Sequence, residues 1–113
     1  MKNENKIAFD WQGTLDVNPE LMEMALSLHR ANWDVLIISA MPLTKPGIRE
    51  KEIEARAGGL AYKVVYHELE NYHVAAGLAK VKVMRELGIP LLVDDNSEVV
   101  RVVRENNLKV LQI

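Results

Sequence analysis

The chain of 113 residues contains no cysteine, which excludes disulfide bridges, thiolate metal sites and a cysteine nucleophile. Aromatic residues make up only 5% of it, and its longest apolar runs are strand-sized, so we expect no segment to cross a membrane. The N-terminal stretch lacks the apolar core of a signal peptide, and we expect a cytoplasmic protein. Neither sign of charge dominates, since 14 Lys and Arg oppose 16 Asp and Glu, which gives no indication of a nucleic-acid partner.

The composition is otherwise that of a folded domain. Hydrophobic residues make up 49% of the chain and charged residues 27%, which is typical of a globular protein. A chain of this length buries roughly two-thirds of its unfolded surface, which is enough for one core. We therefore expect one domain over residues 1–113, with no room for a large lid over a site.

Short β-branched runs alternate with longer helical patterns along the chain. The predicted strands cover 6–10, 34–39, 61–66, 89–93 and 108–112. The predicted helices cover 20–31, about 46–57, a stretch within 70–87, and 97–106. This alternation favours a three-layer, Rossmann-like α/β fold, with a five-stranded parallel sheet and helices on both faces. In such a sheet, binding sites form at the carboxyl ends of the strands.

Polar residues and glycine mark the predicted helix ends. Thr44 and Ser97 are the predicted N-caps of the second and fourth helices, because a hydroxyl can accept a hydrogen bond from a first-turn N–H. Gly88 is predicted to end the third helix, since glycine adopts the left-handed conformation without strain. The charged run 48–56 in the second helix is predicted to be a solvated face.

Acidic side chains follow two predicted strands at the edge where a site is expected. Asp10 ends the first strand, and Asp94 and Asp95 follow the fourth. Three carboxylates at one edge would repel one another unless a cation lay among them, and oxygen ligands without cysteine suit Mg²⁺. Gly13 permits a sharp turn just after Asp10. The sequence therefore predicts a magnesium site at this edge.

A hydroxyl and an ammonium group are predicted beside these carboxylates. Ser39 ends the second strand and could donate a hydrogen bond to a phosphate, and Lys80 could offset the charge of that phosphate. Lys82 competes with Lys80 for this role. Trp11 either packs over the site or wedges the loop that follows the first strand.

These motifs, in this order, resemble those of the haloacid dehalogenase (HAD) superfamily, most of whose members are Mg²⁺-dependent phosphatases and phosphotransferases. FDWQGTLD is similar to the first family motif, and the strand ending in Ser39 is similar to the second. KVKVMRELG is similar to the third motif and LLVDDN to the fourth. The resemblance spans residues 6–96 and implies a member without a cap domain, because no connecting segment is long enough for one.

The resemblance implies a role for each of these residues. Asp10 would be the nucleophile that forms an aspartyl-phosphate, and Ser39 and Lys80 would hold the phosphoryl group. The implied Mg²⁺ ligands are Asp10, Asp95, the supporting Asp94 and the backbone carbonyl of Gln12. The candidate substrate contacts are Trp11, Gln12, Ser39 and Lys80.

Gln12 departs from the family pattern, which has an aspartate that exchanges protons with the leaving group and with water. Glutamine cannot exchange a proton at neutral pH, and general acid–base catalysis is worth roughly 10²–10⁴-fold. The resemblance therefore predicts a weak or specialised phosphohydrolase or phosphotransferase acting on a phosphorylated substrate. The alternative is a non-catalytic HAD-like module that binds a phosphate ligand or a protein partner. Since uncapped members can gain cover by assembling, a homo-oligomer is a further expectation.

Overall fold

The computed structural model describes residues 4–44 and 46–113. Within them, one parallel sheet contains β1 Lys6–Asp10, β2 Asp34–Pro42, β3 Ala61–His67, β4 Leu91–Asp94 and β5 Lys109–Gln112. The connecting helices are α1 Pro19–Arg30, α2 Ile48–Arg56, α3 Tyr72–Leu87 and α4 Ser97–Glu105. An irregular helical turn over Trp11–Leu15 follows β1. The predicted three-layer α/β fold with a five-stranded parallel sheet is confirmed.

The strand order, β3-β2-β1-β4-β5, places β1 at the centre of the sheet. The chain winds outward from β1 through β2 to β3 and then crosses back to β4 on the other side of β1. Asp10 pairs in register with Ile38 of β2, and Phe9 pairs with Val93 of β4. The carboxyl ends of β1, β2 and β4 therefore meet where the winding reverses, which is the usual ligand position in such folds.

Alternation along β1 divides the core into two layers. Ala8 packs with buried residues of α3 and α4, whereas Phe9 packs with buried residues of α1 and α2. We call these layers the α3–α4 core and the α1–α2 core. Because successive strand residues point to opposite faces, Asp10 falls on the same face as Ala8, toward α3.

Two of the predicted helix caps are wrong and one predicted stop is confirmed. The N-cap of α4 is Asn96, whose side chain accepts a hydrogen bond from a first-turn N–H, and Ser97 is the first residue of the helix. The N-cap of α2 is Gly47, in the left-handed conformation and without a side-chain hydrogen bond, while Thr44 lies in the preceding turn. Gly88 ends α3 with a φ of 66°, as expected of a glycine C-cap.

Helix α3 packs closely on α4 at Gly77. A Cβ atom on Gly77 would lie 2.8 Å from Cβ of Val102, so the absence of a side chain permits this separation. Lys80 follows Gly77 by three residues and is buried on the same helix. No helix in residues 4–44 and 46–113 is long and apolar enough to cross a membrane.

Candidate ligand-binding site

Three carboxylates meet at the carboxyl edge of the sheet, between β1 and β4. Oxygen atoms of Asp10, Asp94 and Asp95 all lie within 4.8 Å of one another. Asp94 is fully buried and Asp10 is 6% exposed, while Asp95 follows β4 and borders a cavity. The fold thus brings together the carboxylates that the sequence predicts as magnesium ligands.

Lys80 reaches two of these carboxylates from α3. Its Nζ lies 2.7 Å from Oδ1 of Asp10 and 2.7 Å from Oδ2 of Asp94, and its side chain is 3% exposed. Lys82, the competing lysine, is exposed on the same helix. Because one ammonium faces two buried carboxylates and Asp95 lies beside them, the cluster keeps an excess of negative charge.

Burial and crowding disfavour the ionised form of Asp10. Burial raises the pKa of Asp10, the neighbouring Lys80 lowers it, Asp94 raises it again, and the result is a pKa of about 7 instead of 3.8. Burial alone would lower the pKa of Lys80, but attraction to Asp10 and Asp94 outweighs it and raises the pKa. Lys80 therefore stays charged, and the cost of burying charge appears in the raised pKa of Asp10.

The Thr14 hydroxyl lies between two carboxylate oxygens. Its Oγ1 is 3.1 Å from Oδ2 of Asp10 and 3.2 Å from Oδ1 of Asp95. A hydroxyl has one proton, so Thr14 can donate to only one of these oxygens at a time. The other carboxylate oxygen then faces a lone pair, a contact that a bound cation would relieve.

The turn after β1 brings the backbone close to Asp95. Gly13 has a φ of 78°, and a Cβ atom built on it would lie 2.3 Å from Oδ2 of Asp95. The Gly13 N–H donates a 2.7 Å hydrogen bond to Oδ1 of Asp16, which closes the turn. The sharp turn predicted at Gly13 is confirmed, and glycine is needed both for its conformation and for the close approach.

Sequence reasoning missed Arg49. This residue lies in the charged run 48–56 that is predicted to be solvated, yet it is 8% exposed. Its Nη1 donates a 2.6 Å hydrogen bond to Oγ of Ser39, and its Nη2 donates a 3.0 Å hydrogen bond to Oε1 of Gln12. The sequence held one signal for it: Arg49 falls in the first turn of the helix after β2, and that helix starts at the carboxyl edge of the sheet.

Ser39 and Trp11 do not take the positions predicted for substrate contacts. Ser39 is fully buried, its hydroxyl is held by Arg49, and it does not border the cavity. Trp11 is fully buried in the α1–α2 core, with the Arg56 guanidinium 5.3 Å from its ring centroid. The pleat of β2 explains the position of Ser39, since it turns this side chain to the face opposite that of Asp10, whereas Trp11 lies in the irregular turn after β1.

The cavity above the carboxylates has a volume of about 520 Å³. Its lining includes Lys80, Arg49 and Gln12 in addition to the three carboxylates, and Tyr72 and His73 from the start of α3. Another cavity, of about 560 Å³, opens at the opposite edge of the sheet and has no such cluster of carboxylates among the described residues. The cluster of charged side chains that could bind a ligand therefore lies at the carboxyl edge of the sheet.

Fold and site together define a doubly wound α/β domain with an acidic cavity at the winding reversal. No protein-family model and no curated protein matches the sequence. Among solved structures, the chain is similar to a protein from the universal stress protein family from Burkholderia pseudomallei, with 19% identity and a TM-score of 0.60, over 97% of this chain and 96% of that one. It is also similar to the hypothetical protein PH0823, with 15% identity and a TM-score of 0.53, over 98% and 96% of the two chains. At these identities the similarity shows the fold alone.

These comparisons correct the family predicted from the sequence. One of these structures belongs to the universal stress protein family, and neither is named as a HAD phosphohydrolase, so the assignment to the HAD superfamily is wrong. The predicted phosphohydrolase or phosphotransferase activity, with its aspartyl-phosphate on Asp10, rested on that family and is wrong as well, and the comparisons do not specifically support the alternative HAD-like module. The physical reason is that any doubly wound parallel sheet gathers the residues that follow its strands at one edge. Short acidic, hydroxyl and lysine motifs in that order therefore indicate the fold class and not a family.

Proposed function

We propose that the protein is a binding domain for Mg²⁺ and, through the bound ion, for a phosphorylated small molecule. The observation that carries the proposal is the convergence of three carboxylates, only two of which share a buried ammonium. Mg²⁺ prefers oxygen ligands and is usually held by one or two carboxylates together with water and phosphate oxygens. A phosphorylated ligand would therefore complete the coordination that the protein begins.

The free coordination capacity lies between Asp10 and Asp95. Both oxygens of Asp94 already accept hydrogen bonds, one from the buried ammonium and one from a backbone N–H at 3.0 Å. Oδ2 of Asp10 and Oδ1 of Asp95, in contrast, share the single proton of Thr14. We therefore assign the ion to Asp10 and Asp95, with Asp94 in support.

The cavity also suits the second part of the proposal. Its volume of about 520 Å³ leaves room for a small molecule above the carboxylates, and two cationic side chains, Lys80 and Arg49, border it. Cationic groups next to a bound metal would favour a ligand with several negative charges. The absence of cysteine fits a reducing compartment, so we expect the protein to act in the cytoplasm.

Calorimetric titration with Mg²⁺ tests the metal site. We expect the wild type to bind and Asp95→Asn to bind at least about tenfold more weakly, because it loses a charged ligand. Gly13→Ala should weaken binding as well, since its Cβ would displace the Asp95 carboxylate. Gly59→Ala is the matched control, because Gly59 has a φ of 85° but nothing within 4 Å of the added Cβ. Wild-type affinity in Asp95→Asn would rule out this site.

A further inference from the structure

We propose that Arg49 is the anion-binding residue of this cavity and that its guanidinium holds a phosphoryl group through two hydrogen bonds beside the metal. This inference rests on the proposed function, because it names the group that recognises the ligand of the bound ion. Arg49 borders the same cavity as the carboxylates, although it comes from α2 on the other face of the sheet. The cavity thus has an acidic part for a cation and a basic part for an anion.

The guanidinium of Arg49 keeps donors available for a ligand. Arginine has five N–H groups in a planar fork. Within the described part of the chain, Nη1 donates to Ser39, Nη2 donates to Gln12, and Nε lies 3.3 Å from an oxygen of Glu52. One N–H on each terminal nitrogen therefore has no partner there. Two N–H groups on a planar fork match two oxygens of a phosphoryl group.

Arg49 occupies a position that is unfavourable for a cation when no anion is bound. It is the second residue of α2, where the helix dipole is positive, and the N-cap Gly47 supplies no side-chain acceptor. Its side chain is only 10% exposed, so its charge has lost most of its water. Among the residues that the structure describes, Glu52 is the carboxylate in contact with Arg49; its side chain is 35% exposed and is shared with Arg56. An anion at this point would be stabilised by both the guanidinium and the helix terminus.

The two residues that hold Arg49 on the sheet side are both uncharged. Ser39 and Gln12 accept hydrogen bonds from the guanidinium and so fix its orientation without neutralising its charge. A carboxylate at position 12 would instead form an ion pair with Arg49 and compete with an incoming anion. This assigns Ser39 and Gln12 as positioning residues for Arg49 and gives a physical reason for an amide at position 12.

Calorimetric titration with inorganic phosphate, at saturating Mg²⁺, tests the assignment. We expect Arg49→Lys to bind phosphate at least about tenfold more weakly than the wild type, because lysine keeps the charge but loses the planar fork. Gln12→Glu changes an exposed side chain to one of equal size and should weaken phosphate binding to a similar degree, even if Arg49→Lys folds poorly. Arg56→Lys is the control, since Arg56 lies on the same helix but does not border the cavity.

Mg²⁺ affinity is measured separately for each of these variants. Retained Mg²⁺ binding with weakened phosphate binding in Arg49→Lys and Gln12→Glu supports the assignment. Phosphate binding at wild-type strength in both variants overturns it, and so does a wild type that binds Mg²⁺ but not phosphate. If the wild type binds phosphate without Mg²⁺ and Arg49→Lys abolishes that binding, the anion site stands although the proposed metal site fails.

Discussion

Asp10 is the residue at which stability and ligand binding conflict most directly. Its carboxylate is 6% exposed and shares the Lys80 ammonium with Asp94. Buried carboxylates in excess of their cations destabilise a fold, and such arrangements are typical of binding and catalytic sites. The pKa of Asp10, raised to about 7, expresses the same conflict.

Asp10→Asn is expected to stabilise the metal-free protein at pH 8, by about 1–3 kcal/mol, because an amide cannot ionise. The pKa of Asp10 is about 7 in the fold and 3.8 as its ordinary value, so ionisation begins to destabilise the fold near pH 4 and does so fully above pH 7. The gain should therefore be smaller at pH 5 than at pH 8. Urea unfolding in EDTA at both pH values measures it.

Asp34→Asn is the control for this change. Asp34 is exposed at the start of β2, at the opposite edge of the sheet, and its replacement should alter the free energy of unfolding by less than about 0.5 kcal/mol at either pH. A loss of stability in Asp10→Asn at pH 8 would show that its ion pair with Lys80 outweighs its burial.

Among the elements, the contact between α3 and α4 determines where Lys80 meets the sheet. Gly77 lies against Val102 of α4, and Lys80 lies one turn further along α3. Any side chain at position 77 would push the two helices apart. The separation of α3 from α4 and the position of the buried ammonium are therefore linked.

Gly77→Ala tests how closely α3 must pack on α4. Two effects of opposite sign compete in this variant. Helix propensity alone would stabilise the variant by up to about 1 kcal/mol. The added Cβ, 2.8 Å from Cβ of Val102, should reverse this and destabilise the protein by about 1–3 kcal/mol. The measurement is urea unfolding of the single variants and of Gly77→Ala with Val102→Ala, in which part of the loss should be recovered. A more stable Gly77→Ala would mean that the helices can separate freely.

At the scale of the whole molecule, Lys80 links the helix α3 to the sheet at the site. It joins α3 to β1 through Asp10 and to β4 through Asp94. Lys80→Met should destabilise the metal-free protein by about 3 kcal/mol, because it leaves two buried carboxylates without their cation. Added Mg²⁺ should stabilise this variant more than it stabilises the wild type, since the ion supplies the missing charge.

Lys82→Met is the matched control, two residues along the same helix. Lys82 is exposed, so its replacement should change the free energy of unfolding by less than about 0.5 kcal/mol. Equal losses in the two variants would contradict the burial of Lys80 between the carboxylates. Thermal unfolding with EDTA and with Mg²⁺ gives both comparisons in one experiment.

The bounds of the strands show what the local sequence pattern can predict and what it cannot. The first predicted strand, 6–10, coincides with β1, but the second, 34–39, ends three residues before β2 does. The extra residues pair with β3, with Met41 opposite Tyr66 and Pro42 opposite His67. Proline and loop signals hide this extension in the sequence, because the pairing that creates it comes from a distant part of the chain.

By itself, the sequence determined that the fold is a parallel α/β sheet and that Asp10, Asp94 and Asp95 come together, because periodicity and strand-end residues are local properties. Tertiary structure alone decided which face each neighbouring side chain takes. In the fold, Ser39 lies away from the carboxylates, and Arg49, which belongs to a charged run, borders the cavity. The reason is that burial of a side chain depends on how helices from distant segments pack across the sheet, which no local pattern records.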